Sequence, residues 1–301
     1  MRIQKLLFHE RGHDIIRGIP FGPLARNRID IYRPHGPVKG SVIYLYGGSF
    51  SEGDRSLYRF MGTAFARAGY LFAVPDYRVY PEARFPAFVE DAAAAFAWLH
   101  QHAPAFGASG PISLMGHSAG AHIASLLLLD RTWLSAHGLD ASAIRTFIGL
   151  AGPYPFQPLE IAFTRPAFEG TPDIEKARPV NFIAAAARAG IPPVHLFHGA
   201  RDRTVIIRAS EHFADLLSSH GAHVTLTRYE GLSHISLISS MAWPLRWRGG
   251  VFSDITERLD RLHGHSGKPE GLRPAMARIP LIGRAIAGRA AGGGGRLPQA
   301  A

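Results

Sequence analysis

The chain has 301 residues, of which 47% are hydrophobic, and it carries a formal net charge of +10 with no cysteine. A chain of this size can bury a large core and can fold as one domain. The absence of cysteine excludes disulfides and thiol chemistry. No apolar run approaches the roughly 18 residues of a membrane span, and the run at residues 6–8 is too short for a signal peptide. We therefore expect a cytoplasmic protein without stable membrane insertion.

Short apolar strands alternate with helix-forming segments along the chain. Strands are predicted in an opening region at 14–33 and at 41–46, 70–74, 146–150, 194–198 and 223–229. Helices are predicted at about 56–68, 88–102, 208–219 and 250–263, and residues 111–130 hold a strand followed by a helix. This alternation predicts an α/β fold with a mostly parallel central sheet and helices on both faces.

The segment Gly-His-Ser-Ala-Gly at 116–120 lies between that apolar strand and that helix. Strand, sharp turn and helix form the context of a G-x-S-x-G nucleophile elbow, in which Ser118 is exposed at the carboxyl edge of the sheet. The glycines on either side allow the tight turn, and the helix N-terminus favours developing negative charge. The alternative is an ordinary glycine-rich turn. The context favours Ser118 as a nucleophile.

A serine nucleophile needs a base and a group that orients the base. Asp202 follows the predicted strand at 194–198, and His234 follows the strand at 223–229. Both therefore lie beyond carboxyl ends of strands, where open α/β sheets place their sites. Taken singly, Asp202 could be a solvated loop acid and His234 a helix-capping or surface histidine. The order Ser, Asp, His along the chain is that of a hydrolase triad.

The same chemistry needs N–H donors aimed at the oxygen on which negative charge develops. Gly47 and Gly48 follow the predicted strand at 41–46, so their loop can turn backbone N–H groups inward. We expect the donors to come from Gly47, Gly48, Ser49 and Ala119. The alternative is a plain Gly-Gly turn.

These segments resemble the α/β-hydrolase esterase and lipase superfamily. The resemblance is greatest to small esterases grouped with hormone-sensitive-lipase-like and arylformamidase/feruloyl-esterase-like proteins. It covers roughly residues 25–262 and is carried by 28–34, 46–50, 76–81, 85–98, 116–122, 149–154 and the Asp202 and His234 loops.

The resemblance implies an α/β-hydrolase fold with Ser118 as nucleophile, Asp202 as acid and His234 as base. It also implies that residues 153–190, with six prolines, form a small cap insertion above the site. The family usually has His-Gly-Gly where this chain has Tyr46 before two glycines. That histidine holds the loop by hydrogen bonding, and the Tyr46 hydroxyl is the expected substitute.

The sequence therefore predicts a serine hydrolase that cleaves short-chain carboxylic esters through an acyl-enzyme. Two alternatives stay open: an arylformamidase-type amidase acting on N-formylated aromatic amines, and a non-catalytic binding protein on the same fold. No metal-ligand cluster or phosphate-binding glycine motif occurs, so no cofactor and no metal are expected. The expected partner is a small-molecule ester, and the oligomeric state is left open.

The last part of the chain differs in composition. Residues 265–301 contain six Lys or Arg, one Glu and four consecutive glycines, and they carry half of the basic excess. We expect residues 1–264 to form the hydrolase domain and residues 265–301 a disordered basic tail. Nucleic-acid binding is not predicted, because half of the excess charge lies on this tail. A weak contact of the tail with an anionic surface is the alternative.

Overall fold

The structure, a computed structural model, describes residues 6–264. The predicted tail at 265–301 lies outside the described residues. A single nine-stranded sheet organises the described part, with strand order β1-β2-β3-β5-β4-β6-β7-β8-β9. The strands are β1 (Leu6–Glu10), β2 (His13–Pro20), β3 (Arg28–Pro34), β4 (Gly40–Leu45), β5 (Tyr70–Pro75), β6 (Ile112–His117), β7 (Ile144–Leu150), β8 (Val194–Gly199) and β9 (Val224–Tyr229).

The sheet has an antiparallel start and a parallel body. β1, β2 and β3 pair antiparallel, and β3 joins β5 in the same sense. From β5 through β9 the pairing is parallel. Every residue of β4, β5, β6 and β8 is buried, as expected of parallel strands covered on both faces. The predicted mostly parallel sheet is confirmed.

Eight α-helices connect or cover the strands within residues 6–264. They are α1 (Arg59–Arg67), α2 (Ala87–His102), α3 (Ala119–Leu129), α4 (Thr132–Ser135), α5 (Ile183–Arg188), α6 (Arg208–Ser219), α7 (His234–Ser239) and α8 (Val251–Leu262). α2 packs on α3, while α1 meets α8 through a Phe65–Phe252 ring contact, with centroids 5.1 Å apart. None of these helices is long and apolar enough to cross a membrane.

The strand order creates a crevice at the carboxyl end of β4. The chain passes from β4 to β5 on one side, and then returns across β4 to β6 on its other side. Such a reversal in strand order leaves the two connecting loops apart and opens a binding crevice between them. The loop after β4 and the turn after β6 border this crevice, which therefore lies beside Gly47 and Ser118.

The segment 153–190 lies between β7 and β8. It contains α5 and three short 3₁₀ helices, at Arg165–Ala167, Ile174–Ala177 and Pro179–Phe182. The buried ring of Phe168 packs against Phe50 and Phe88. His122 Nε2, on α3, donates to the Ala177 carbonyl at 2.8 Å. These contacts attach the segment to the loop after β4 and to α3.

The observed elements differ from the sequence predictions in two ways. The opening strand region at 14–33 is two strands, β2 and β3, separated by a turn in which the Leu24 amide donates to Asn27 Oδ1 at 3.0 Å. β1 and α7 were not predicted at all. Both are only five or six residues long, which is too short for hydrophobic periodicity to mark them.

Candidate active site

Ser118 occupies the sharp turn between β6 and α3. Its backbone angles are φ 52° and ψ −123°, a region that residues other than glycine rarely enter. The Ser118 amide donates to the Leu150 carbonyl of β7 at 2.9 Å, which holds the turn against the neighbouring strand. The sequence prediction of a sharp turn at this serine agrees with this geometry.

The two glycines of the turn are required by close backbone approach. A Cβ on Gly116 would lie 2.4 Å from the Gly120 carbonyl oxygen. A Cβ on Gly120 would lie 2.1 Å from the Leu45 carbonyl oxygen at the end of β4. Side chains at these positions would push α3 away from the central strands. The glycines therefore set the position of Ser118 relative to the loop after β4.

Asp202 and His234 form a buried hydrogen-bonded pair. Since a carboxylate only accepts, His234 Nδ1 donates to Asp202 Oδ2, at 2.7 Å. The other oxygen, Oδ1, accepts the backbone amides of Thr204 and Val205, at 2.9 Å each. Burial opposes ionisation of Asp202, but hydrogen bonds from His198, His234 and the Val205 amide outweigh it and hold the pKa of Asp202 well below its usual range. The carboxylate is therefore ionised at neutral pH.

His234 is the first residue of α7, directly after the N-cap Ser233. The Ser233 hydroxyl accepts from the Ser236 amide, and the Ser236 hydroxyl accepts from the Ser233 amide. This reciprocal cap fixes where the helix begins. Consequently it also fixes the direction from which His234 approaches Asp202.

His117 links His234 to the strand β6 that precedes Ser118. The His234 carbonyl accepts from His117 Nε2 at 3.2 Å, and the two ring centroids lie 4.6 Å apart. Within residues 6–264 the Ser118 hydroxyl makes no hydrogen bond, so its contact with His234 is not formed in this structure. The structure thus joins Asp202 to His234 and brings His234 to the residue beside Ser118.

The loop after β4 adopts an unusual backbone next to Ser118. Gly48, Ser49 and Phe50 have φ angles of 138°, 51° and 63°. The Gly48 carbonyl accepts the amides of Ser51 and Glu52, which turns the loop back on itself. A Cβ on Gly47 would lie 2.9 Å from Ser118 Cβ, so only glycine lets the loop approach the turn this closely.

Several N–H groups in this region are free. The amides of Gly48, Ser49 and Ala119 donate no hydrogen bond to any residue among 6–264. Ala119 is the first residue of α3, whose first amides have no partner inside the helix. Unpaired donors beside a crevice suit an anionic or strongly polarised oxygen.

Tyr46 anchors this loop from beneath. Its buried hydroxyl donates to Asp76 Oδ1 at 2.9 Å, and Asp76 also forms an ion pair with Arg55. Tyr77 donates its hydroxyl to the Tyr46 carbonyl at 2.6 Å. Burial, followed by the charge of Asp76, raises the pKa of Tyr46 far above its usual value, so the phenol keeps its proton. The hydroxyl therefore takes part in holding the loop, as expected from the sequence.

A small apolar cavity of about 200 Å³ opens beside Ser118. Ser49 and Ala119 lie at its base, together with Ser118. The segment 153–190 contributes much of the wall, and the loop after Asp202 closes the opposite side; these walls include Phe156, Ile161, Phe163, Val205 and Ile206. The cavity can take a small apolar group next to the serine.

The sequence interpretation missed two residues that support the site. Asp76 follows β5 and accepts bonds from both Tyr46 and Arg55. His198, on β8, contacts the Asp202 loop. Each is a polar residue at or just beyond the carboxyl end of a buried strand, and that position was the signal available in the sequence.

Known proteins resemble this chain in sequence and in fold. The sequence model of the BD-FAE family matches residues 29–147. The probable isoprenylcysteine alpha-carbonyl methylesterase ICME of Oryza sativa subsp. japonica is 30% identical over 291 residues, covering 90% of this chain and 69% of that protein. Kynurenine formamidase of Drosophila melanogaster is 22% identical over 217 residues, covering 66% and 67%. Esterase B from Lactobacillus rhamnosis (HN001) superposes with a TM-score of 0.73 at 18% identity, covering 84% and 87%.

The parallel sheet with a strained serine between β6 and α3 defines an α/β hydrolase. With the relatives above, the chain belongs to the α/β-hydrolase serine esterase family. The family resemblance predicted from the sequence is confirmed. By family, the protein is a carboxylic ester hydrolase.

Proposed function

We propose that this protein hydrolyses short-chain carboxylic esters through an acyl-enzyme formed on Ser118. The observation that carries the proposal is the position of Ser118, strained at φ 52° at the base of an apolar cavity, with unpaired amides on both sides. The buried Asp202–His234 pair supplies an oriented base beside it. The proposal also assigns the catalytic roles of Ser118, Asp202 and His234, and the length of the acyl group that the site accepts.

In the proposed reaction His234 Nε2 takes the proton of the Ser118 hydroxyl as Oγ attacks the ester carbonyl. His234 then returns that proton to the leaving alcohol, and water repeats the sequence on the acyl-enzyme. Asp202 holds the Nδ1–H tautomer and stabilises the imidazolium. No hydrogen bond joins the Ser118 hydroxyl to His234 among residues 6–264, and we assign its formation to substrate binding, since catalytic hydrogen bonds often tighten only in the Michaelis complex.

The proposed oxyanion donors are the amides in the loop after β4 and at the start of α3. They comprise Gly47, Gly48, Ser49 and Ala119, of which the last three have unpaired N–H groups among residues 6–264. The helix N-terminus at Ala119 adds a favourable field for negative charge. Removal of a single such donor typically costs a factor of about 10² to 10³ in kcat.

The acyl length follows from the cavity. A volume of about 200 Å³ equals that of roughly seven water molecules. That space takes a short acyl group and excludes a long one from full burial. The name of the Oryza sativa relative adds a second substrate class, the methyl ester of an isoprenylated cysteine. Its acyl part is large and its leaving alcohol small, so its isoprenoid would lie outside the cavity, along the exposed Phe163 and Ile206.

A second candidate reaction is hydrolysis of an N-formylated aromatic amine. It is favoured by the similarity to the kynurenine formamidase of Drosophila melanogaster. A formyl group is smaller than any other acyl group and fits the same cavity. The two reactions use the same nucleophile and donors, and they differ in the leaving group.

The test is substrate turnover by the wild-type protein and by Ser118→Ala. p-Nitrophenyl esters from C2 to C16, an isoprenylcysteine methyl ester and N-formylkynurenine would be compared, together with labelling by a fluorophosphonate. We expect the highest kcat/KM at C2 to C6, and a loss on the order of 10⁴ to 10⁶ in kcat for Ser118→Ala with an unchanged melting temperature. Near-wild-type turnover by the variant would refute the mechanism. A protein that neither labels nor turns over substrate would be a binding protein on this fold.

A further inference from the structure

A second histidine contacts the proposed acid at the same carboxylate oxygen as His234. His198 lies on β8, four residues before Asp202, and its side chain is fully buried. Its Nε2 lies 2.8 Å from the Val205 carbonyl oxygen and 3.4 Å from Asp202 Oδ2. Its Nδ1 lies 2.7 Å from the Ser210 hydroxyl on α6. The ring therefore bridges β8, the acid loop and α6.

The neighbours of His198 determine its protonation at Nε2. A carbonyl oxygen can only accept, so Nε2 must carry a hydrogen to bond with Val205. The same N–H lies 3.4 Å from Asp202 Oδ2, a longer polar contact that helps to lower the pKa of Asp202. Ser210 can donate to or accept from Nδ1, so it accommodates the ring without fixing the hydrogen on the acid side.

This arrangement gives Asp202 four donors. Oδ1 accepts two backbone amides, from Thr204 and Val205. Oδ2 is shared between His234 Nδ1 at 2.7 Å and His198 Nε2 at 3.4 Å. Donors on the same oxygen compete for its charge, so the bond to His234 is weaker than it would be with Oδ2 to itself.

We propose that His198 is a positioning residue that holds Asp202 toward His234 and, by sharing its Oδ2, weakens the hydrogen bond that His234 Nδ1 donates to it. The inference rests on the proposed function, since it assigns His198 a role through the proposed acid and base. His198 has no contact with the cavity beside Ser118, and it acts only through Asp202.

The other titratable groups near the His234 ring do not take the role proposed for His198. The titratable groups that face the His234 ring are Asp202 and, from β6, His117. Burial, and then the charge of His234, lower the pKa of His117 to about 3, so its ring stays neutral during catalysis. Of the described residues named here, His198 is the one whose N–H lies near Asp202 Oδ2, the oxygen that accepts from His234.

Two polar substitutions of His198 distinguish the role of Nδ1, near Ser210, from that of Nε2, near Val205 and Asp202. The amide of His198→Asn can replace Nδ1 near Ser210 but does not reach Asp202. The longer amide of His198→Gln can replace the Nε2 donor to Val205 and Asp202. Ser210→Ala is the matched control, because it removes only the partner of Nδ1. All three variants would be prepared in the full-length chain and compared by melting temperature.

The readouts are the pH dependence of kcat/KM and the low-field NMR signal of the His234 Nδ1 hydrogen, assigned by its loss in His234→Gln. For His198→Asn we expect the acid limb of the pH profile to move up by roughly half a unit or more, since one unit is a tenfold change in protonation. The NMR signal should move downfield. At the pH optimum kcat should fall about tenfold, the value of one bond to a charged group, with KM within about twofold.

His198→Gln and Ser210→Ala should keep the wild-type acid limb and NMR position, even where their melting temperatures fall. The inference is overturned if His198→Asn leaves the acid limb and the NMR position unchanged. It is also overturned if all three variants shift both readouts equally, which is the result expected of a merely structural role. The NMR signal needs no turnover. A wild-type protein that is inactive on all substrates would therefore refute the proposed function, while the NMR positions of the variants would still decide whether His198 shares the Asp202 oxygen.

Discussion

At the scale of single residues, the proposed acid and the proposed nucleophile are prepared to different degrees. Asp202 has donors on both oxygens and stays ionised, while the Ser118 hydroxyl has no hydrogen-bond partner among residues 6–264. Donors already aimed at a charge cost no reorganisation during the reaction. The remaining alignment, between Ser118 and His234, is therefore assigned to substrate binding.

Replacing Asp202 by Asn tests the acid at this scale. The side-chain oxygen of Asn can still accept from Thr204 and Val205, so the loop should persist. The amide nitrogen then faces His234 and donates to Nδ1, which forces the wrong tautomer on the base. We expect kcat to fall by a factor on the order of 10⁴ with the melting temperature changed little. Steady-state kinetics and thermal unfolding provide the measurements.

Glu211→Gln is the control for this substitution. Glu211 lies on α6 and is half-buried, and its ion pair with the exposed Arg228 is long, at 3.9 Å. A partly exposed pair of this kind contributes little, so activity should stay at the wild-type level. A loss below tenfold for Asp202→Asn would transfer the role of the acid to another carboxylate.

At the scale of elements, the site depends on how closely α3 approaches β4. A Cβ on Gly120 would lie 2.1 Å from the Leu45 carbonyl oxygen and 2.2 Å from that of Tyr46, where β4 leads into the loop at Gly47 and Gly48. The distance between the nucleophile turn and that loop is therefore set by a backbone contact. Flexible side chains could yield to a new methyl group, but the Leu45 carbonyl belongs to β4 and the Tyr46 carbonyl accepts from the buried Tyr77 hydroxyl.

Gly120→Ala should consequently destabilise the fold and separate the turn from the loop. Its Cβ would lie 2.1 Å from the Leu45 oxygen. Overpacking typically costs 1–3 kcal/mol, so for a backbone clash we expect about 3 kcal/mol and a melting temperature lower by at least about 6 °C. Gly36→Ala, with nothing within 4 Å of its Cβ, should change stability by less than about 0.5 kcal/mol. Equal melting temperatures for both variants would disprove the contact.

The sequence predicted the elements that carry strong patterns. The helix predicted at 208–219 is α6 at Arg208–Ser219, and the strand predicted at 41–46 is β4 at Gly40–Leu45. α7 was missed because it has only six residues and its start is marked by a Ser-x-x-Ser cap, with no apolar repeat. The sequence thus placed His234 after a strand, but it did not reveal that a helix begins there.

The candidate site was predictable in its members more than in its contacts. Ser118, Asp202 and His234 each follow a strand, which is a local property. The contact of His198 with the Asp202 loop, and the Ser210 hydroxyl at the other end of its ring, depend on how α6 packs against β8. Packing of this kind is a long-range property, and no spacing in the sequence encodes it.

At the scale of the whole molecule, three buried histidines link stability to pH. Burial lowers the pKa values of His117, His122 and His195 to about 3 each, with neighbouring charges as lesser contributions at His117 and His195. In the unfolded chain the same groups take up protons as the pH falls through about 6.5. Between pH 6.5 and 3 the unfolded state therefore binds more protons, so stability falls as the pH falls through this window.

The expected slope is up to about 1.4 kcal/mol per pH unit for each histidine, which is steep against the total stability of a domain. Asp202 does not contribute in the upper part of this window, because its lowered pKa acts only below the usual aspartate value of 3.8.

The variant His195→Gln isolates one histidine. His195 lies on β8, where its Nδ1 contacts the Thr225 hydroxyl at 2.8 Å. We expect the urea midpoint, measured at pH 7, 6, 5 and 4.5, to fall less steeply with decreasing pH for this variant than for the wild type. The difference in the slope of stability against pH should correspond to at most one proton. Parallel curves for the variant and the wild type would show that His195 is protonated in the folded state, and that its burial does not contribute to acid sensitivity.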